Sequence, residues 1–201
     1  MSYIYKDSAI EKIILDYFNG MSDKRKRHTN NVISVSEELA YIYKADKDKA
    51  CFAARCHDFF RGKNNSELNE LIQEYNLPDR YIDNPNLAHG KLAAAFLKRI
   101  GIDDEEVLNA VSYHTTGRAG MTLLEKIVFI ADAIEPDRDY PGVDLIRRIA
   151  FEDIDKACLL SLKGTIKHLI DGGMELETID RDTIEAAEYF ESVRKGEIND
   201  K

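Results

Sequence analysis

The chain has 201 residues, long enough to bury a full hydrophobic core without staples. It is 44% hydrophobic and 32% charged, with only four prolines and eleven glycines, which fits long helices joined by short loops and excludes a low-complexity chain. With 37 acidic against 28 basic residues its net charge is −9, which excludes a general electrostatic grip on nucleic acid but leaves room for a phosphorylated small molecule held by a local basic patch or a metal.

The helix signals follow one another at short intervals. A first helix is expected over about residues 8–19, closed by Gly20. Ser22 or Asp23 caps a long second helix reaching about Tyr43, and Asp46 caps a third through about Phe60. Residues 61–65 read as a loop, and Ser66 opens a fourth helix. The stretch from Pro78 to Pro85 is a connector. A fifth helix runs from about Ala88 to Ile100 with Gly101 as its stop, and Asp103 opens a sixth that ends near Thr116. Thr122 and Glu125 form a capping box for a seventh, which ends before Pro136. Pro141-Gly142 is a turn. Asp153 begins a long helix stopped by Gly172-Gly173, and a last helix covers about Asp182 to Lys195. No alternating strand pattern competes, so the expectation is an all-α fold.

Cys51, Cys56 and Cys158 are odd in number and form no CxxC pair, so buried thiols in a reducing compartment are expected. The N-terminal stretch lacks the apolar core of a signal peptide, and no segment approaches transmembrane length. A cytoplasmic location, with no membrane partner, follows as an expectation.

Laying the ionisable residues on these helices gives the functional signal. In the second helix Val32, Val35, Leu39 and Ile42 form an apolar stripe that His28 extends by one turn. In the third, Ala50 and Ala54 share a face with His57 and Asp58. In the fifth, His89 lies with Leu92, Ala93 and Phe96; in the sixth, Val107, Ala110 and Val111 lead to His114; in the seventh, Leu124 and Val128 lead to Asp132. A lone inward histidine is more often a hydrogen-bonded core residue than a ligand, and an inward aspartate is often a cap or an ion-pair partner. Asp132, however, is mid-helix, where capping does not explain it. Six such groups in one core, each costing about 1–3 kcal/mol if unpaired, change the balance. A cation resolves the cost collectively, and imidazole with carboxylate suits Fe, Mn, Zn or Co. The long separations and the lack of cysteine ligands point to a catalytic rather than a structural site.

The order His28 … His57-Asp58 … Asp132 resembles the H…HD…D signature of HD-domain metal-dependent phosphohydrolases. Two blocks narrow the resemblance. One is Arg25-Lys26-Arg27-His28-Thr29 followed by CHDFFRG at 56–62; the other is HTTGRAGMTLLEKIVFIADAIEPDRDYPG at 114–142. Over about residues 8–190 the chain is similar to bacterial YqeK-type symmetrical bis(5'-nucleosyl)-tetraphosphatases. The resemblance implies a single HD-type hydrolase domain over residues 1–201, with its core at about 8–195. It implies cleavage of diadenosine tetraphosphate to two ADP. It also implies that His28, His57, Asp58 and Asp132 hold one iron-like divalent cation, with Mn, Co or Zn as alternatives. His89 and His114 then hold a second metal, with Asp58 bridging, or contact phosphate directly. The catalytic set is His57, Asp58, His89 and His114, and a homodimer is plausible for the family. One departure is local: Asp180-Arg181 precede Asp182-Thr183 where many relatives carry His-Pro before the threonine.

A dication offsets phosphate charge and lowers the pKa of a bound water. Attack of metal-bound hydroxide on the second phosphate from one adenosine end then expels ADP. Asp58, His89 and His114 face that phosphate, and other donors hold the rest. Arg25 shares the face of His28 one turn earlier, whereas Lys26 and Arg27 face away. Lys63 follows the His57-Asp58 helix in a loop. Thr115, Thr116 and Gly117 follow His114 where a helix ends. Arg138 offers a phosphate fork, and Tyr140 a ring to stack on a base. The alternatives are another HD-type nucleotide phosphohydrolase acting on dNTPs or alarmones, an oxygenase, and a non-catalytic nucleotide sensor.

Overall fold

The computed structural model describes residues 8–196, and no strand occurs among them. Ten α-helices follow in order: α1 Ser8–Gly20, α2 Asp23–Tyr43, α3 Lys47–Cys56, α4 Asn65–Glu74, α5 Pro85–Arg99, α6 Glu105–Tyr113, α7 Leu123–Ile134, α8 Val143–Ala150, α9 Ile154–Asp171 and α10 Arg181–Lys195. Short 3-10 turns at Asp79–Tyr81 and Leu176–Thr178 join two of the pairs.

The all-helical expectation holds, and most boundaries are set by the chemistry of the caps. The Ser22 hydroxyl accepts from the Arg25 amide to start α2, and the Asp46 carboxylate accepts from the Lys49 amide to start α3. Thr122 and Glu125 close the expected capping box on α7. Four starts differ by one to three residues because a nearer side chain wins the cap. Asn64, in its own capping box with Glu67, starts α4 instead of Ser66. Asn84 starts α5 with Pro85 in its first turn, where the missing amide costs nothing. Asp104 rather than Asp103 caps α6, and Asp180 rather than Asp182 caps α10. The third helix ends at Cys56, not near Phe60, and residues 57–62 turn away from it. A helix that the sequence reading passed over, α8, occupies residues 143–150 after Gly142, whose φ of +92° only glycine adopts easily.

At the centre of the packing lies α7, with nine of its twelve residues buried. It packs against α2, α3, α6, α8 and α9. Seven of those nine are apolar, and a helix buried on so many sides is an interior helix. Behind the His57-Asp58 pair, Phe59 and Phe60 turn into an aromatic cluster with Tyr17 of α1 and Phe96 of α5, with ring centroids 4.5–6.5 Å apart. Each buried phenylalanine adds about 1.5–3 kcal/mol, so the residues after the pair anchor it from the rear. Ile42, assigned above to the inward stripe of α2, is instead exposed near the end of that helix beside Tyr41. Among the described residues no helix is long and apolar enough to cross a membrane.

Candidate metal centre

Five helices deliver the six inward groups to one place. His28 comes from α2 and Asp132 from α7. His57 and Asp58 stand at the turn that closes α3, His89 in the second turn of α5, and His114 one residue past α6. All four imidazoles and Asp58 are buried. Within each of the sets His28/His57/Asp58, His57/His114/Asp132 and Asp58/His89/His114, the ligand-type atoms lie within 4.8 Å of one another.

The distances fall into two groups that share Asp58. Its Oδ2 lies 3.5 Å from His28 Nε2 and 3.5 Å from His57 Nε2. Asp132 Oδ1 lies 3.1 Å from His28 Nε2 and 3.9 Å from His57 Nε2. On the other side Asp58 Oδ1 lies 3.3 Å from His89 Nε2 and 3.8 Å from His114 Nε2, and those two nitrogens are 3.0 Å apart. Bonds of about 2.0–2.2 Å to a common cation put neighbouring ligands about 3–3.5 Å apart, so both groups have separations near those of a coordination shell.

The far nitrogen of each ring explains why the near one is available. Nδ1 of His57 faces Ala54 O at 2.6 Å, Nδ1 of His89 faces Pro85 O at 3.0 Å, and Nδ1 of His114 faces Val111 O at 2.8 Å. A carbonyl only accepts, so in each neutral ring Nδ1 carries the proton and Nε2 turns a lone pair to the centre. Nδ1 of His28 pairs in the same way with Glu135 Oε1 at 3.1 Å. Among the described residues, Nε2 of His28 and Nε2 of His57 are buried without a hydrogen bond. Lone pairs and carboxylate oxygens therefore converge with too few donors. This is the arrangement a cation completes, and the donor set fits one.

The electrostatics agree. Burial lowers the His28 pKa, but the adjacent carboxylates of Asp132, Asp58 and Glu135 outweigh it and raise it to about 9. His57 is likewise raised, with burial outweighed by Asp58 and Asp132. Burial and the neighbouring His57 and His89 push His114 down to about 3, so it stays a neutral donor. Asp58 and Asp132 are held ionised against burial, Asp58 by His57, His28 and His89, Asp132 by His28 and Arg138. The pocket demands positive charge on the His28 side and a neutral lone pair on the His114 side.

Two guanidiniums stand at its rim. Arg25 Nη1 donates to Asp58 Oδ2 at 2.5 Å, and Arg138 Nη2 to Asp132 Oδ1 at 2.5 Å. Thr115 Oγ1 sits 3.1 Å from His114 Nε2 and 3.4 Å from His89 Nε2. The remaining sequence candidates lie elsewhere. Lys63 pairs with Glu67 at 3.6 Å on the following helix. The Thr116 hydroxyl donates to Gly117 O, and Gly117 packs close to Ala186, Leu162 and Met121. Tyr140 donates its hydroxyl to Ala133 O and leaves its ring partly exposed. Arg27 reaches Asp137 at the surface, as its outward placement implies.

Three contributors escaped the sequence reading. Glu135 is buried and accepts from His28, from Asn31 Nδ2 at 2.8 Å and from the Asp137 amide at 2.8 Å. Arg61 brings Nη1 to 3.4 Å from His89 Nδ1. Lys91, two residues after His89, lies buried over the Tyr113 ring, 3.3 Å from its centroid and 3.5 Å from Asp182. Asp182 also takes Arg80, so the tail that departs from the family pattern serves to dock α10 on α5. Glu135 stands in the IEPDR block, three residues beyond a mid-helix aspartate, but nothing in its own local pattern marks it as buried.

A family model described as HD domain matches residues 25–137. The chain is 40% identical over 152 residues to a Bacillus subtilis (strain 168) protein named symmetrical bis(5'-nucleosyl)-tetraphosphatase, covering 75% of this chain and 82% of that one. A Staphylococcus aureus protein of the same name is 36% identical over 174 residues, which is 85% of this chain and 88% of its own. A solved structure from Clostridium acetobutylicum, described as a predicted HD superfamily hydrolase involved in NAD metabolism, superposes with a TM-score of 0.83. It is 42% identical, and the match covers 91% of this chain and 97% of that one.

Proposed function

Since the chain belongs to the HD-domain family, we propose that it is a divalent-metal-dependent hydrolase that cleaves diadenosine tetraphosphate symmetrically into two ADP; its relatives are named symmetrical bis(5'-nucleosyl)-tetraphosphatases. The observation that carries the reading is the convergence of four imidazoles on the two oxygens of Asp58, with Asp132 beside two of them. His28, His57, Asp58 and Asp132 would hold the cation. His89 and His114 would take a second ion, with Asp58 shared between the two groups, or the phosphate itself. An imidazole and carboxylate set without cysteine suits Fe, Mn, Co or Zn, with iron favoured by the resemblance.

When bound, the cation supplies charge neutralisation of the anhydride and acidification of water. The chain's own residues do the rest. Arg25 and Arg138, each of which gives its carboxylate one short hydrogen bond, would turn to the flanking phosphates, which accept a guanidinium fork and carry more charge. Thr115 adds a hydroxyl donor beside His89 and His114. The neutral, buried His114 donates a lone pair without bringing charge of its own. Tyr140, whose ring is partly exposed, would supply the face on which a base stacks. The separation between base and cluster fixes which phosphate reaches Asp58, and a symmetrical product requires the second. The same reading takes the described residues as one HD-type domain working in the cytoplasm, with a homodimer as the assembly to look for by sedimentation.

A nucleotide panel with chromatographic product analysis tests the proposal. Diadenosine tetraphosphate should yield ADP alone. A yield of ATP plus AMP, or preferential turnover of dNTPs or alarmones, would overturn the assignment.

A further inference from the structure

Gly90 lies in the interior of α5, where a glycine costs about 1 kcal/mol relative to alanine. Its backbone gives no reason for glycine, since its φ is not among the positive values in the chain. The space around it does. A Cβ on Gly90 would meet His114 Cε1 at 2.9 Å, His114 Nδ1 at 3.0 Å and Val111 O at 3.0 Å. Carbon atoms at optimal contact sit about 3.5–4.0 Å apart, so a methyl group here requires something to move.

The ring has little freedom to yield. Its Nδ1 is tied to Val111 O at 2.8 Å, and its faces and edges meet His57 and His89 with centroids 4.8 and 4.9 Å away. It is 2% exposed. The other way to make room is to lift α5 off α6, and α5 carries His89. Either movement changes the 3.0 Å between His89 Nε2 and His114 Nε2, and the reach of both to Asp58 Oδ1.

We propose that Gly90 is a positioning residue: its missing side chain is the slot that seats the His114 imidazole against α5, and so sets the spacing of the Asp58/His89/His114 group. That this group serves the reaction rests on the function proposed above; the seating itself does not.

A double-variant cycle separates the two. Gly90→Ala and His114→Ala are made singly and together, and thermal midpoints are followed by circular dichroism. The imidazole 15N resonances of His114 are recorded in the wild type and in Gly90→Ala. Gly90→Ala should lower the midpoint in the wild-type background and shift the His114 resonances. With the ring removed by His114→Ala, the same methyl should cost clearly less or raise the midpoint, because the two ring contacts are gone and only the Val111 carbonyl opposes the better helix propensity of alanine. Should Gly90→Ala alone fail to fold, recovery of folded protein in the double variant supports the seating, and no recovery overturns it. An equal loss in both backgrounds assigns the conflict to the Val111 carbonyl and overturns the proposal, as do unmoved His114 resonances. On diadenosine tetraphosphate, Gly90→Ala should lower kcat about 10–100-fold, the range for losing support of a site ligand, with a smaller change in KM. If the nucleotide panel fails while the cycle holds, the function falls and the seating stands.

Discussion

Glu135 shows how much a single buried carboxylate decides. One oxygen receives His28 Nδ1–H, and the other is filled by Asn31 and the Asp137 amide. The proton on His28 is thereby kept on the outer nitrogen, and the inner one faces Asp58 and Asp132. Removing it should cost metal affinity without dismantling the centre. Glu135→Ala should bind the divalent ion about 10–100-fold more weakly in a competition against a chromophoric chelator. Glu135→Gln should fall between it and the wild type, because its amide can accept from His28 but then turns an N–H toward two donors. Unchanged affinity in the alanine variant would mean that His28 needs no such support. The residue was illegible for a physical reason: its partner is 107 positions away in the chain, and a glutamate after a helix end reads as an ordinary surface charge. The histidines were legible because they continue apolar stripes at helical spacing, where a solvated side chain has no place. Lys63 was misdirected by proximity in sequence, since residues 57–62 turn and give it Glu67 as its nearest counter-charge.

Among the elements, α8 has the least conspicuous sequence and an organising role. It is two turns long and starts on a glycine with no side-chain cap, so only Val143, Ile146, Ile149 and Ala150 mark its inner face. Its Arg147 donates from Nε to Ile134 O at 2.9 Å and from Nη2 to Glu135 O at 2.9 Å and Arg138 O at 2.6 Å. Ile134 O is a carbonyl left open where α7 ends and the other two lie in the loop that follows, and a cation there also answers the negative end of the helix dipole. One side chain thus holds the loop that carries Glu135 and Arg138. Arg147→Ala should destabilise the fold by about 2–3 kcal/mol in urea titrations, the scale of losing charge-assisted hydrogen bonds, and raise KM for the nucleotide as Arg138 loosens. Thr122→Ala, at the opposite end of α7, loses only one cap bond and should cost about 1 kcal/mol. If the Thr122 change raised KM as much as the Arg147 change, the loop would not be the link between α8 and the rim.

Over the whole molecule, nine of the ten helices and their order followed from caps and periodicity, whereas α8 and the mutual packing of the helices did not. That α7 lies at the centre depends on which faces meet, and a largely apolar composition says only that it is buried. That same packing forces two carboxylates and four imidazoles into one interior. The interior is relieved in part by Arg25 and Arg138, whose side chains reach in from the rim. A bound cation should therefore act as a cross-link among α2, α5, α7 and the turns after α3 and α6. Because the unfolded chain scatters these ligands over more than a hundred residues, binding is confined to the native state and adds about 2.7 kcal/mol of stability at a hundredfold excess over Kd. For a domain of this size that is about 5–10 °C in Tm. Stripping with a chelator should lower the wild-type Tm by this amount, and restoring Mn or Fe should return it. In Asp58→Ala the stripped and loaded proteins should melt together, because the shared ligand of both groups is gone. Turnover of that variant should fall by more than the ~100-fold expected from loss of an orienting partner. A full metal-dependent rise in Tm in Asp58→Ala would move the cation away from Asp58, and with it the reading of His57-Asp58 as the heart of the site.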